Sequence, residues 1–191
     1  LYNWYGLAPE YMAFAELADA TGVNPSYIGV AAKGNLTFDD MIFSQGDVLV
    51  RYLRGSYSSS EINAQVQPKF TFCLGGQDDG FTFAVNYLNG SFDRTYFDPN
   101  IGIQHSYLNS GAHPYVRFQN DDFSINLGAK VVYGMDMENS ESDFFIYPKV
   151  EASLKLVDEF VTLYAGVDGD LIQNTYYDFT QENPFLSPTL T

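Results

Sequence analysis

Bases are scarce in this chain: Lys and Arg number 9 against 24 Asp and Glu, a formal net charge of −15. That balance excludes a nucleic-acid partner, because phosphate neutralisation needs clustered Lys and Arg. Cysteine is scarcer still. With Cys73 alone no internal disulfide can form, so stability must come from the sheet. Two histidines, His105 and His113, give no set with metal-ligand spacing, and neither lies near a serine in a G-x-S-x-G motif. No cofactor, metal centre or enzymatic activity is therefore expected. No run approaches the roughly 20 consecutive apolar residues of a membrane helix, which excludes a helical membrane protein. The chain also opens without a basic stretch followed by an apolar one, and is expected to be mature or truncated.

What the chain does contain is aromatic side chains, 16 Phe and 15 Tyr among 191 residues, and strict alternation. From 123 to 133 one face reads Phe123, Ile125, Leu127, Ala129, Val131, Tyr133, and the other Ser124, Asn126, Gly128, Lys130, Val132. From 146 to 156, Ile146, Pro148, Val150, Ala152, Leu154 and Leu156 oppose Tyr147, Lys149, Glu151, Ser153 and Lys155. A period of two sends alternate side chains to opposite faces of a sheet. Eleven such residues, tilted about 40°, project to roughly 27 Å, close to the roughly 25 Å apolar band of an outer-membrane barrel. Eight segments follow this pattern: 27–38, 47–57, 61–73, 81–88, 114–119, 123–133, 146–156 and 161–171. The fold expected is all-β, an antiparallel up-and-down transmembrane β-barrel with about eight strands.

The connections alternate in length. Tight polar turns are expected at Asp39-Asp40, residues 75–80, 120–122 and 157–160, and longer segments at 89–113, 134–143 and beyond 173. Short periplasmic turns and longer outer loops characterise outer-membrane barrels. On that orientation residues 1–26 form an outer-side loop with a short helix near 9–19, and residues 27–191 form the barrel. The chain then enters and leaves at the outer face, which points to an internal section of a larger barrel. A complete eight-stranded barrel with unusual termini is the alternative.

The bases gather on the polar strand face: Lys33, Arg51, Lys69, Arg117, Lys130, Lys149 and Lys155, with Arg54 and Arg94 off it. A charge facing lipid at mid-membrane costs about 2–4 kcal/mol, so this face should line the interior. There the bases either select anionic solutes or pair with carboxylates, Glu151, Asp168 and Asp170 among them. The loop acids Asp136, Glu138, Glu141 and Asp143 lack the central glycine and ordered spacing of an EF-hand loop and read as a solvated acidic loop. Pro68 and Pro148, each in an apolar-x-Pro-Lys-apolar stretch, mark either two matching bulges or a coincidence. Tyr52, Tyr57, Tyr87, Phe92, Tyr133, Phe160, Tyr176 and Tyr177 suit interfacial girdles.

The stretch HPYVRFQNDDFSINLGAKV from His113 to Val131, residues 144–156, and NPFLSPTL from Asn183 resemble the outer-membrane barrels of Bacteroidota grouped as TonB-dependent receptor-like proteins. The likeness extends loosely over 27–191. It implies an outer-membrane location and uptake of a substrate through a barrel with an N-terminal plug, and it carries no family ligand residue onto this chain. The expected partners are outer-membrane lipid and other outer-membrane or periplasmic proteins. Two other functions fit the pattern: a non-transporting barrel that serves as an assembly scaffold, and a soluble β-barrel holding an apolar ligand inside.

Overall fold

The computed structural model describes residues 26–39, 42–55, 58–74, 77–93, 102–157 and 160–182. The segment expected to hold the first short helix, the acids Asp40, Asp158 and Glu159, and Tyr57 lie outside these residues. Eight strands run in chain order: β1 (Tyr27–Thr37), β2 (Phe43–Gly55), β3 (Ser60–Leu74), β4 (Gln77–Phe92), β5 (Ile103–Gln119), β6 (Phe123–Asp136), β7 (Glu141–Val157) and β8 (Val161–Asp168). A short helix, α1 (Tyr176–Glu182), follows. Each strand pairs antiparallel with the next, giving one up-and-down sheet in which β1 and β8 do not pair with each other. Because neighbours alternate in direction, the β1–β2, β3–β4, β5–β6 and β7–β8 turns share one end of the sheet, and the other connections share the opposite end.

The strands run further than alternation of apolar residues indicates. β4 continues to Phe92 and β5 starts at Ile103, so most of 89–113 is ladder, pairing from Asn86↔Asn109 to Phe92↔Ile103. β6 and β7 likewise stay paired out to Asp136↔Glu141. The long connections expected there contract to residues 93–102 and 137–140. In the second of these Ser140 takes φ 56° and Asp136 accepts the amide hydrogens of Glu138 and Asn139. Asp78 and Asp79 are not turn residues. They sit in β4 opposite Cys73 and Phe72.

Neither proline makes a bulge. Pro68 stays in register with Gly46, and Pro148 with Ala129. The irregularities fall instead between Phe43 and Gln45 and between Lys155 and Val157. The reason is local. Pro148 presents its carbonyl to Gly169 N beyond the end of β8, so the donor it lacks has no ladder partner to lose. At Pro68 the β3–β4 pairing lapses over Gln67 and Pro68 and resumes unchanged at Lys69.

The register sets Ile62, Val66, Phe70, Phe83, Ile125, Leu127, Val150, Leu154 and Leu163 on one face. Large apolar residues of that face stay open to the surroundings in every strand, from 37% at Phe83 and 44% at Leu127 to 65% at Ile146 and 70% at Ile28. The buried apolar residues among those described are Leu53, Leu88, Phe92, Val132 and Tyr176. The four in strands all belong to the opposite, polar face. The hydrophobic core is therefore on the side that carries the charges.

Candidate functional site

The ladder places Lys33, Arg51, Lys69, Arg117, Lys130, Lys149, Glu151, Lys155 and Asp168 on the polar face, linked row by row through pairs such as Arg117↔Asn126 and Lys149↔Asp168. Asp170 lies just past β8 and reaches the same face, where it forms an ion pair with Lys130. It does so as part of a strap. Residues 169–175 leave β8, cross the sheet and deliver α1 to β1–β3.

Contacts along the strap succeed one another strand by strand. Gly169 N donates to the Pro148 carbonyl at 3.2 Å, and Lys149 meets Asp168 at 3.2 Å. Asn109 Nδ2 donates to Gln173 Oε1 at 2.5 Å. Glu61, only 3% exposed, then accepts the backbone N–H groups of Tyr176 (2.7 Å) and Tyr177 (2.9 Å). Those are two of the four donors that any helix leaves unpaired at its start. Thr175 and Asp178 close the same end reciprocally: Asp178 N donates to Thr175 Oγ1 at 3.1 Å, and the Thr175 hydroxyl donates to Asp178 Oδ2 at 2.5 Å. Asp178 Oδ1 takes a hydrogen bond from Arg51 at 2.8 Å, and the Arg51 guanidinium stands 5.0 Å over the Tyr177 ring.

A helix of two turns is marginal by itself, so α1 depends on its seat. Leu53, Phe92 and Tyr176 form a buried cluster with Tyr27, Ile103 and Tyr177 against it. Phe92 meets Tyr176 edge-on at 5.0 Å, and the hydroxyls of Tyr27 and Tyr176 are 3.3 Å apart. Burial, and after it the Tyr27 hydroxyl, pushes the Tyr176 phenol far above its ordinary range, so it stays protonated. Phe92, Tyr176 and Tyr177, which suit girdle positions by sequence, serve this inner cluster instead. Their aromatic character is used for packing across the sheet, which no local pattern reveals.

Two glycine–aromatic pairs shape the polar face. Gly90 lies opposite His105 and Gly80 opposite Tyr115. A Cβ on Gly90 would stand 2.3 Å from the imidazole, and one on Gly80 2.2 Å from the Tyr115 hydroxyl. Each ring thus lies flat over bare backbone of the neighbouring strand, which only glycine permits. His105 also stacks on Tyr107 (5.8 Å) and stands 3.7 Å from Glu61, beside a cavity of about 440 Å³ that the strap roofs. Toward the tight-turn end, beyond the strap, a second cavity of about 320 Å³ opens around Lys69, His113, Tyr115 and Arg117.

Glu61, Thr175 and Asp178 are the site residues that strand alternation does not single out. Thr175-x-x-Asp178 is a readable helix-start motif; Glu61 is identified only by the contact between distant segments. No protein-family model, curated protein or solved structure gave a significant match to the chain.

Proposed function

We propose that this sheet is wall of an outer-membrane β-barrel, with its apolar face on lipid and its polar face toward the barrel interior. In this reading it is a section of a larger, receptor-like barrel that binds or passes a solute. One observation carries the reading: apolar residues stay exposed on all eight strands, while the bases share the opposite face with the strap. A soluble monomer seldom exposes an apolar patch beyond a few hundred Å². A lumenal face, in contrast, tolerates charge and needs the hydrogen-bonded network that Arg51, Asn63, Gln65 and Asn86 provide. A soluble barrel around an apolar ligand would turn the apolar set inward, whereas the side covered by the strap and α1 is the polar one.

The strap supports a second reading, a barrel whose interior is filled and whose role is that of a scaffold for other membrane proteins. Two measurements test these alternatives. Transfer from denaturant into lipid vesicles should give protease-resistant β structure, whereas detergent-free buffer should not. A monodisperse folded monomer in buffer alone would overturn the membrane reading. Solute flux or ion conductance from the vesicles would favour passage over scaffolding.

A further inference from the structure

Among the described residues three cations of the polar face are paired with carboxylates, and four, Lys33, Lys69, Arg117 and Lys155, are not; of these four, two share a cavity. Arg51, Lys130 and Lys149 each meet a carboxylate, Asp178, Asp170 and Asp168, supplied in turn by α1, the strap and the end of β8. Lys69 and Arg117 lie past the strap's edge and have no carboxylate at ion-pair distance among the described residues. Both line the cavity of about 320 Å³ at the tight-turn end. Its floor is Tyr115, flat over Gly80, with the Lys69 ammonium 5.8 Å from the ring centre. Gln45, Gln67, Thr82, His113 and Asn126 share the lining, and His113 Nε2 and Asn126 Oδ1 are buried without a hydrogen-bond partner. The one acid in the wall, Asp47, is occupied by amide donors, Asn35 Nδ2 at 2.5 Å and Gln45 Nε2 at 2.8 Å.

We propose that this cavity is a binding site for a small oxyanion, a carboxylate or phosphate group, held by Lys69 and Arg117 over Tyr115. The chemistry is that of the neighbouring ion pairs: where the strap ends, its carboxylates end, and an external oxyanion takes the equivalent place. A guanidinium offers a two-pronged donor to such a group, and an ammonium a point charge. A compact ligand can enter from the turn end, where the strap does not cover the face. The site belongs to the polar face and is independent of what covers the apolar one.

Calorimetric titration of the full chain folded in detergent, at fixed ionic strength, tests the proposal with three probes: citrate, inorganic phosphate and uncharged glycerol. Saturable binding of citrate or phosphate, and none of glycerol, is the expected result; whichever anion binds more tightly identifies the source as carboxylate or phosphate. Lys69→Gln and Arg117→Gln should each weaken binding about fivefold and the pair at least tenfold. Lys155→Gln, a polar-face base outside the cavity, should change it less than twofold. Absence of saturable binding by either anion overturns the proposal. So does an equal loss in Lys155→Gln, which would reduce the effect to general attraction of charge. Circular dichroism of each variant confirms that the compared proteins carry the same sheet. The membrane reading is tested by folding with and without lipid, so either conclusion can fail without the other.

Discussion

A buried carboxylate costs several kcal/mol unless its oxygens are satisfied, and Glu61 meets that condition with backbone donors of a helix 115 and 116 residues away in sequence. Glu61→Ala should leave both N–H groups unpaired and weaken docking of α1 by about 2–3 kcal/mol. Hydrogen exchange at the amides of Tyr176 and Tyr177 reads this directly; unchanged protection would deny Glu61 its role. Tyr176 adds a pH dependence of definite sign. Its phenol is raised by burial first and by Tyr27 second, so the folded form holds the proton more tightly than the unfolded chain, whose tyrosines titrate near pH 10. The stabilisation is complete below about pH 10 and is lost as pH rises above it. Strap amides should lose protection from about pH 10 upward, and Tyr176→Phe should flatten that step while sheet amides stay unaffected.

Among the elements, the strands were legible wherever one face was apolar and the other polar, as in β6 from Phe123 to Tyr133. They were illegible at the ends away from the tight turns. In residues 103–113 both faces carry Ser, Asn, Gln or His, so the period of two has no hydropathy contrast to show. Pairing there is imposed by β4, a non-local cause. The strap was missed for a related reason: Gln173, Tyr176 and Asp178 find their partners on β5, β3 and β2, far away along the chain. The polar face as the place of the bases was readable from parity alone. Which bases are paired was not.

The strap also sets a steric demand on β1. A Cβ at Gly29 would stand 3.2 Å from Tyr177 Cε2, whereas one at Gly34 would meet nothing within 4 Å. Gly29→Leu should therefore lift Tyr177 and release α1 at a cost of about 1–3 kcal/mol, as overpacking generally does. Gly34→Leu, in the same strand, should not. Limited proteolysis between residues 169 and 182 would separate the two, and equal cutting in both variants would show that α1 does not rest on β1.

For the molecule as a whole, the decisive property is the inversion of faces: the exposed side is the apolar one, and the buried cluster lies among the charges. Lipid against the exposed side predicts a dependence on depth that a protein partner would not produce. Leu127 stands near the middle of the apolar stretch of β6 and Tyr133 at its end, while Ser124 occupies the polar face. In vesicles, Leu127→Arg should destabilise by about 2–4 kcal/mol and Tyr133→Arg by about 0–1 kcal/mol, because the cost of a cation falls from the bilayer midplane to the interface. Ser124→Arg should cost little, since its side chain points away from hydrocarbon. Denaturant titration of the three variants in the same vesicles provides the measurement. A penalty at Tyr133 as large as that at Leu127 would replace the bilayer with a uniformly apolar protein surface. A negligible penalty at Leu127 would leave the exposed face in water, and with that the barrel reading would fall.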